Sequence, residues 1–167
     1  MTERAYPPGT VDERAMLSGY LDYFRATLAF KCEGLDAAQL ADRNCDPSPL
    51  SLLGLVRHMA EVERNWARNF DGERTQARYY TDDDPDGDFT NVAADPDQVA
   101  DAFEFWQDEI AHAREVYDAH SLDDTFTTHR GSVRSLRWVL VHLIEEYARH
   151  CGHADFLRER IDGAVGD

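Results

Sequence analysis

The stretch "HLIEEYARHCGH", residues 142–153, places a carboxylate and an imidazole, Glu146 and His150, four positions apart in a segment whose other regularly spaced residues are apolar. At about 100° per residue, Leu136, Val139, Leu143, Tyr147, Ala154, Leu157 and Ile161 gather on one side of a helix. His150 falls near the centre of that stripe and Glu146 on its flank, while Glu145 and Arg149 point away. A carboxylate turned toward a core is costly unless it is paired or bound to a cation. Side chains at i and i+4 stand about one helical pitch apart, close enough to hold one ion. A third donor must come from another helix, and His58, in "LGLVRHMAEVERNW", lies at the margin of an apolar face. Two imidazole nitrogens and one carboxylate oxygen suit zinc, with a fourth position open to water or substrate. Nickel, cobalt and ferrous iron accept the same donors. Spacing alone leaves a second reading open, in which the three residues form a hydrogen-bonded core network with Glu146 protonated and no ion.

Other reactive residues have weaker patterns. His142 and His153 lie on the Glu146 side of the same helix, where either could orient a ligand or stand in for His58. His112, His120 and His129 read as surface residues. Glu61, one turn from His58, is the only further carboxylate near the triad and is expected to face water. Cys151 follows His150 directly, so its side chain turns about 100° away and reads as structural. With Cys32 and Cys45 it makes an odd set lacking CxxC spacing, which fits neither a disulfide framework nor a thiolate zinc site. There is no HExxH, GxSxG, phosphate loop or Rossmann glycine pattern. The acidic run "TDDDPDGD", residues 81–88, lacks the spacing and terminal glutamate of a calcium-binding EF-hand and reads as a solvated loop.

The elements that must position these residues are helices. Met16, Leu17, Tyr20, Leu21, Phe24 and Leu28 recur at helical spacing in a first segment from about Val11 to Gly34. "LDAAQLADR" suggests a short helical turn. A second helix is expected from "SPLS", with Ser48 as cap and Pro49 in first position, running to Gly72 with Leu52, Leu55, Val56, Met59, Val62 and Trp66 as its stripe. A third opens at "DPDQ", with Asp95 as cap and Gln98 completing a capping box. The fourth begins near Ser132 or Ser135 and ends at Gly163, and no hairpin is expected. Four long amphipathic helices in 167 residues predict an all-α fold, a four-helix bundle forming one domain over residues 1–167. A formal net charge of -16 argues against nucleic acid and anionic membrane as partners. Without an apolar leader or a membrane-length run, the expectation is a cytoplasmic chain.

At this point the sequence resembles a known family. "LSLLGLVRHMAEVERNW" followed by "WVLVHLIEEYARHCGHADFLRERIDG" is similar to the DinB/YfiT-like superfamily, in particular its actinobacterial branch, over nearly the whole chain. The resemblance implies an up-down-down-up bundle with a divalent metal held by His58, Glu146 and His150. Many relatives carry histidine where Glu146 stands, whereas the mycothiol-dependent maleylpyruvate isomerases use glutamate there. It further implies a metal-dependent S-transferase or isomerase acting on a low-molecular-weight thiol and an electrophilic small molecule. Lys31 is the only lysine among 17 basic residues, an arginine bias compatible with a GC-rich bacterial genome and therefore with mycothiol as the thiol. The thiolate of that cosubstrate would be the nucleophile. Tyr147, Arg149 and Trp66 are candidates for touching substrate, and apolar helix faces would permit a homodimer. Two other functions share these residues: a non-enzymatic metal- or small-molecule-binding module, closed by His142 or His153, and a metal-dependent hydrolase with Glu61 as base.

Overall fold

Four long helices account for most of the chain: α1 (Glu13–Cys32), α3 (Leu52–Phe70), α5 (Pro96–Asp118) and α6 (Leu136–Asp162). The computed structural model describes residues 4–73 and 76–165, so the outermost ends of the expected domain lie outside the described residues. Two short helices, α2 (Ala37–Ala41) and α4 (Gly87–Thr90), sit in the connections, and a small antiparallel hairpin, β1 (Thr125–Thr127) with β2 (Val133–Ser135), precedes α6. None of the described helices is long and apolar enough to cross a membrane.

Local sequence explains most helix ends. Asp12, Asp36, Ser51, Asp95 and Ser135 each cap a helix by accepting a backbone N–H with the side chain. Pro96 opens α5, and Gly163 closes α6 in the left-handed conformation, φ 76°. Three expectations need correction. The cap of α3 is Ser51 rather than Ser48, because "SPLS" holds a second serine after the proline, and its hydroxyl reaches Gly54 N. Gln98 does not complete a capping box on Asp95; its Oε1 accepts from Ala93 N instead. The hairpin was not expected, since three-residue strands are too short to show alternation.

Ion pairs fix the helix directions. Arg137 on Glu13 joins the starts of α6 and α1, and Lys31 on Asp155 joins their later turns, so these two run parallel. Arg57 at the start of α3 holds the carbonyls of Gly87 and Asn91 just ahead of α5, and Phe70 at its end packs on His120 just beyond α5. α3 therefore runs parallel to α5. It is antiparallel to α6, since Trp66 meets Trp138 while His58 meets His150. In chain order the long helices run up, down, down, up.

The core between them is largely leucine and aromatic, with one polar chain at its centre. Arg25 of α1 makes a bidentate pair with Glu63 of α3, 2.8 Å on each arm. Tyr147 of α6 donates to the same carboxylate at 2.8 Å and accepts from Trp106 of α5 at 2.8 Å. Each long helix thus contributes one residue, and all four are buried. Burial, then the Glu63 charge, raises the Tyr147 phenol well above its ordinary range, so it stays a neutral donor.

The acidic segment between α3 and α5 is strapped across α3. Besides Arg57, Glu61 takes part by accepting the backbone N–H groups of Arg78 and Tyr79. Gly87 is the tight point, because a Cβ there would lie 2.5 Å from the Tyr79 carbonyl and 2.9 Å from Asp84. Gly87→Ala is expected to cost about 1–3 kcal/mol, as overpacking does when backbone must move, and to lower the urea midpoint with the m-value unchanged.

Candidate metal centre

His58, on the second turn of α3, and Glu146 and His150, in the middle of α6, converge from antiparallel helices. One donor atom from each lies within 4.8 Å of the other two. The imidazole centroids are 4.7 Å apart, and His150 Nε2 is 3.6 Å from Glu146 Oε2, longer than a hydrogen bond. His150 is buried, while His58 and Glu146 are half-buried at the wall of a cavity.

The partners of the two imidazoles are compatible with ligation through Nε2. Asp88 is buried, and its Oδ2 lies 2.8 Å from His58 Nδ1; since a carboxylate only accepts, His58 Nδ1 carries a proton, which assigns Nε2 of the neutral ring to a cation. The Nδ1 atoms of His150 and His153 lie 3.2 Å apart; with His150 Nδ1 as the donor, its Nε2 faces Glu146 with a free lone pair. Burial, reinforced by His58, His153 and Arg149, pushes the His150 imidazole down to about 3. It is neutral at physiological pH, the form that binds cations. One buried neutral imidazole, a second imidazole oriented by a carboxylate, and one glutamate form a donor set that fits a divalent ion.

A second group of donors, His142, Glu145 and Glu146, also lies within 4.8 Å. Glu145 is exposed and tied to Arg149, and His142 stacks on Trp138 with ring centroids 4.9 Å apart, so these side chains are already engaged. Beside the triad opens a cavity of about 420 Å³. Trp66, Tyr80, Pro85 and Phe89 supply apolar surface, and Glu61, Asn65, Asp86 and Arg149 supply polar groups.

Several sequence readings change here. Glu61 does not face water: it is 4% exposed, lies on the cavity wall and is fixed by two backbone donors. Burial, partly offset by those donors, raises its carboxyl above the usual range. Tyr147 is committed to the core network and does not line the cavity, whereas Arg149 and Trp66 do. His129 is exposed, but His112 and His120 are half-buried. Cys151 is buried with Sγ 3.6 Å from the Phe24 carbonyl, and burial pushes its thiol up to about 12. Asp88 was missed altogether. It stands in a run of acids that reads as solvent-facing, and the one signal against that reading is Phe89, the apolar residue after it that turns the segment inward.

The family model described as mycothiol-S-transferase matches residues 16–163. No curated protein matches the chain. Among solved structures, a conserved protein from Enterococcus faecalis is similar over 93% of this chain and 100% of its own, with a TM-score of 0.69 and 14% identity. That likeness is one of fold, and it agrees with the mostly helical architecture.

Proposed function

Since this chain belongs to the mycothiol S-transferase family, of the DinB/YfiT-like kind, we propose that it is a metal-dependent enzyme joining the sulfur of mycothiol to an electrophilic small molecule. The observation that carries this reading is the convergence of His58, Glu146 and His150 at the wall of a 420 Å³ cavity. His58 Nε2, a Glu146 oxygen and His150 Nε2 would hold the ion, with zinc the best fit to the donors and nickel, cobalt or iron as substitutes. A divalent cation there supplies the charge that favours a thiolate over a thiol at neutral pH.

The protein's own residues have three tasks. Asp88 holds the His58 ring in one tautomer and one orientation. Phe89 and Pro85 give the cavity apolar surface that excludes water from the electrophile. The described cysteines leave nucleophilic attack to the cosubstrate: Cys151 and Cys32 are buried with thiols raised to about 12, and none of the three lines the cavity. All three are free, which suits a reducing, cytoplasmic compartment. The excess of acid argues for small molecules rather than nucleic acid as partners.

A closed binding site is less well supported. His153 sits at the Nδ1 side of His150, opposite the atom that meets Glu146, so it does not offer a fourth ligand there. The test is transfer of mycothiol to the fluorogenic electrophile monobromobimane, followed in protein stripped by chelator and again after reloading with zinc. Turnover should vanish on stripping and return on reloading; undiminished turnover in metal-free protein would refute the reading.

A further inference from the structure

The cavity is polar on one wall, and that wall has no task in thiol activation. Glu61 and Asn65 are neighbours one turn apart on α3, both lining the cavity, with Trp66 next in sequence. Both hydrogen bonds that Glu61 receives, 2.5 Å from Arg78 N and 2.7 Å from Tyr79 N, end on Oε1. Its Oε2 is therefore left as an acceptor for whatever enters. Asn65 Oδ1 accepts from Asn69 at 2.8 Å, which leaves its Nδ2 as a donor. Acceptor and donor at i and i+4 stand roughly 6 Å apart, a span that takes hydroxyls from one six-membered ring. The Trp66 indole is fixed between Trp138 and His142, with centroids at 5.1 and 5.0 Å, as an aromatic surface beside them.

We propose that this α3 wall, Glu61 with Asn65 and Trp66, binds a neutral polyhydroxyl group: the sugar portion of the thiol cosubstrate. The proposal rests on the transferase reading and specifies which end of the thiol lies against α3. An apolar group on this wall would leave a buried carboxylate oxygen without a donor, at full desolvation cost. An anionic group would meet Glu61, Asp86 and Asp88 together. Hydroxyl groups satisfy the carboxylate, and the C–H face of a sugar ring packs on indole. Mycothiol carries such a group, an aminosugar linked to inositol.

The probe is thiol-free N-acetylglucosaminylinositol, titrated calorimetrically into zinc-loaded protein. Wild type is expected to bind it, and Glu61→Gln, which keeps the size and one acceptor for the strap, should bind at least about tenfold more weakly with metal content retained. Asn65→Leu, which does not touch the strap, should weaken binding in the same direction. In turnover assays, Glu61→Gln should raise KM for mycothiol about tenfold more than for N-acetylcysteine, a thiol without the sugar. Failure of wild type to bind the probe, or equal losses with both thiols, would overturn the proposal. Binding of the probe without turnover of any thiol would defeat the transferase reading while supporting the sugar site.

Discussion

His150→Ala is expected to lose its bound metal and its thiol transfer together while remaining folded. The side chain is buried and supplies the donor nearest Glu146, so without it two donors remain on two different helices. Removal of an outer partner typically weakens a metal site about 10–100-fold, and removal of a ligand costs more. Asp88→Asn provides the graded comparison: all three donors stay, and the metal should be held about 10–100-fold more weakly because the His58 ring is no longer fixed by a carboxylate. Elemental analysis with circular dichroism of the same samples checks the pair. A His150→Ala protein that keeps stoichiometric metal and turnover would remove His150 from the site.

Glu63→Ala is expected to give the largest loss of stability of any single change in the core, about 3–5 kcal/mol. It strands the Arg25 guanidinium, buried and deprived of its bidentate partner, and takes the acceptor from Tyr147. The double substitution Arg25→Met with Glu63→Leu should recover much of that loss, since most of the penalty lies in the unpaired charge. Urea denaturation of the three proteins measures both effects. Recovery of nothing would mean that the polar chain itself, and not the uncompensated charge, is what the core requires. The same residues sit close to the candidate metal donors along their helices: Tyr147 adjoins Glu146, and Glu63 follows His58 by little more than one turn. A slip of α3 against α6 would separate Glu63 from Tyr147 and His58 from His150 at once.

What the sequence made legible was what depends on neighbours along the chain. Periodicity located the four long helices, and Glu146 and His150 stood out because they interrupt an apolar stripe at the spacing of one turn. Asp95 and the glycine after Asp162 marked ends that formed as expected. Glu61 and Asp88 were misread for the opposite reason. Glu61 is buried only because residues 78 and 79 return to cover it, and Asp88 only because α4 turns it toward His58. Neither contact has a local pattern, and an acidic residue in an acidic surrounding is read as solvated by default. Tyr147 was legible as a core residue, but the partners of its hydroxyl were not, since Glu63 and Trp106 lie far away in sequence.

Asp88 belongs to the strap that also brings Tyr80, Pro85, Asp86 and Phe89 to the cavity, yet its carboxylate ends on His58, one of the three candidate metal donors. On the proposed reading, the ion and the organic substrate would be bound through one shared element. If closing the strap over a substrate strengthens the hold on His58, then filling the metal position strengthens the hold on that substrate by the same factor, because such coupling is reciprocal. Metal affinity measured without substrate would then be only half of a linked pair.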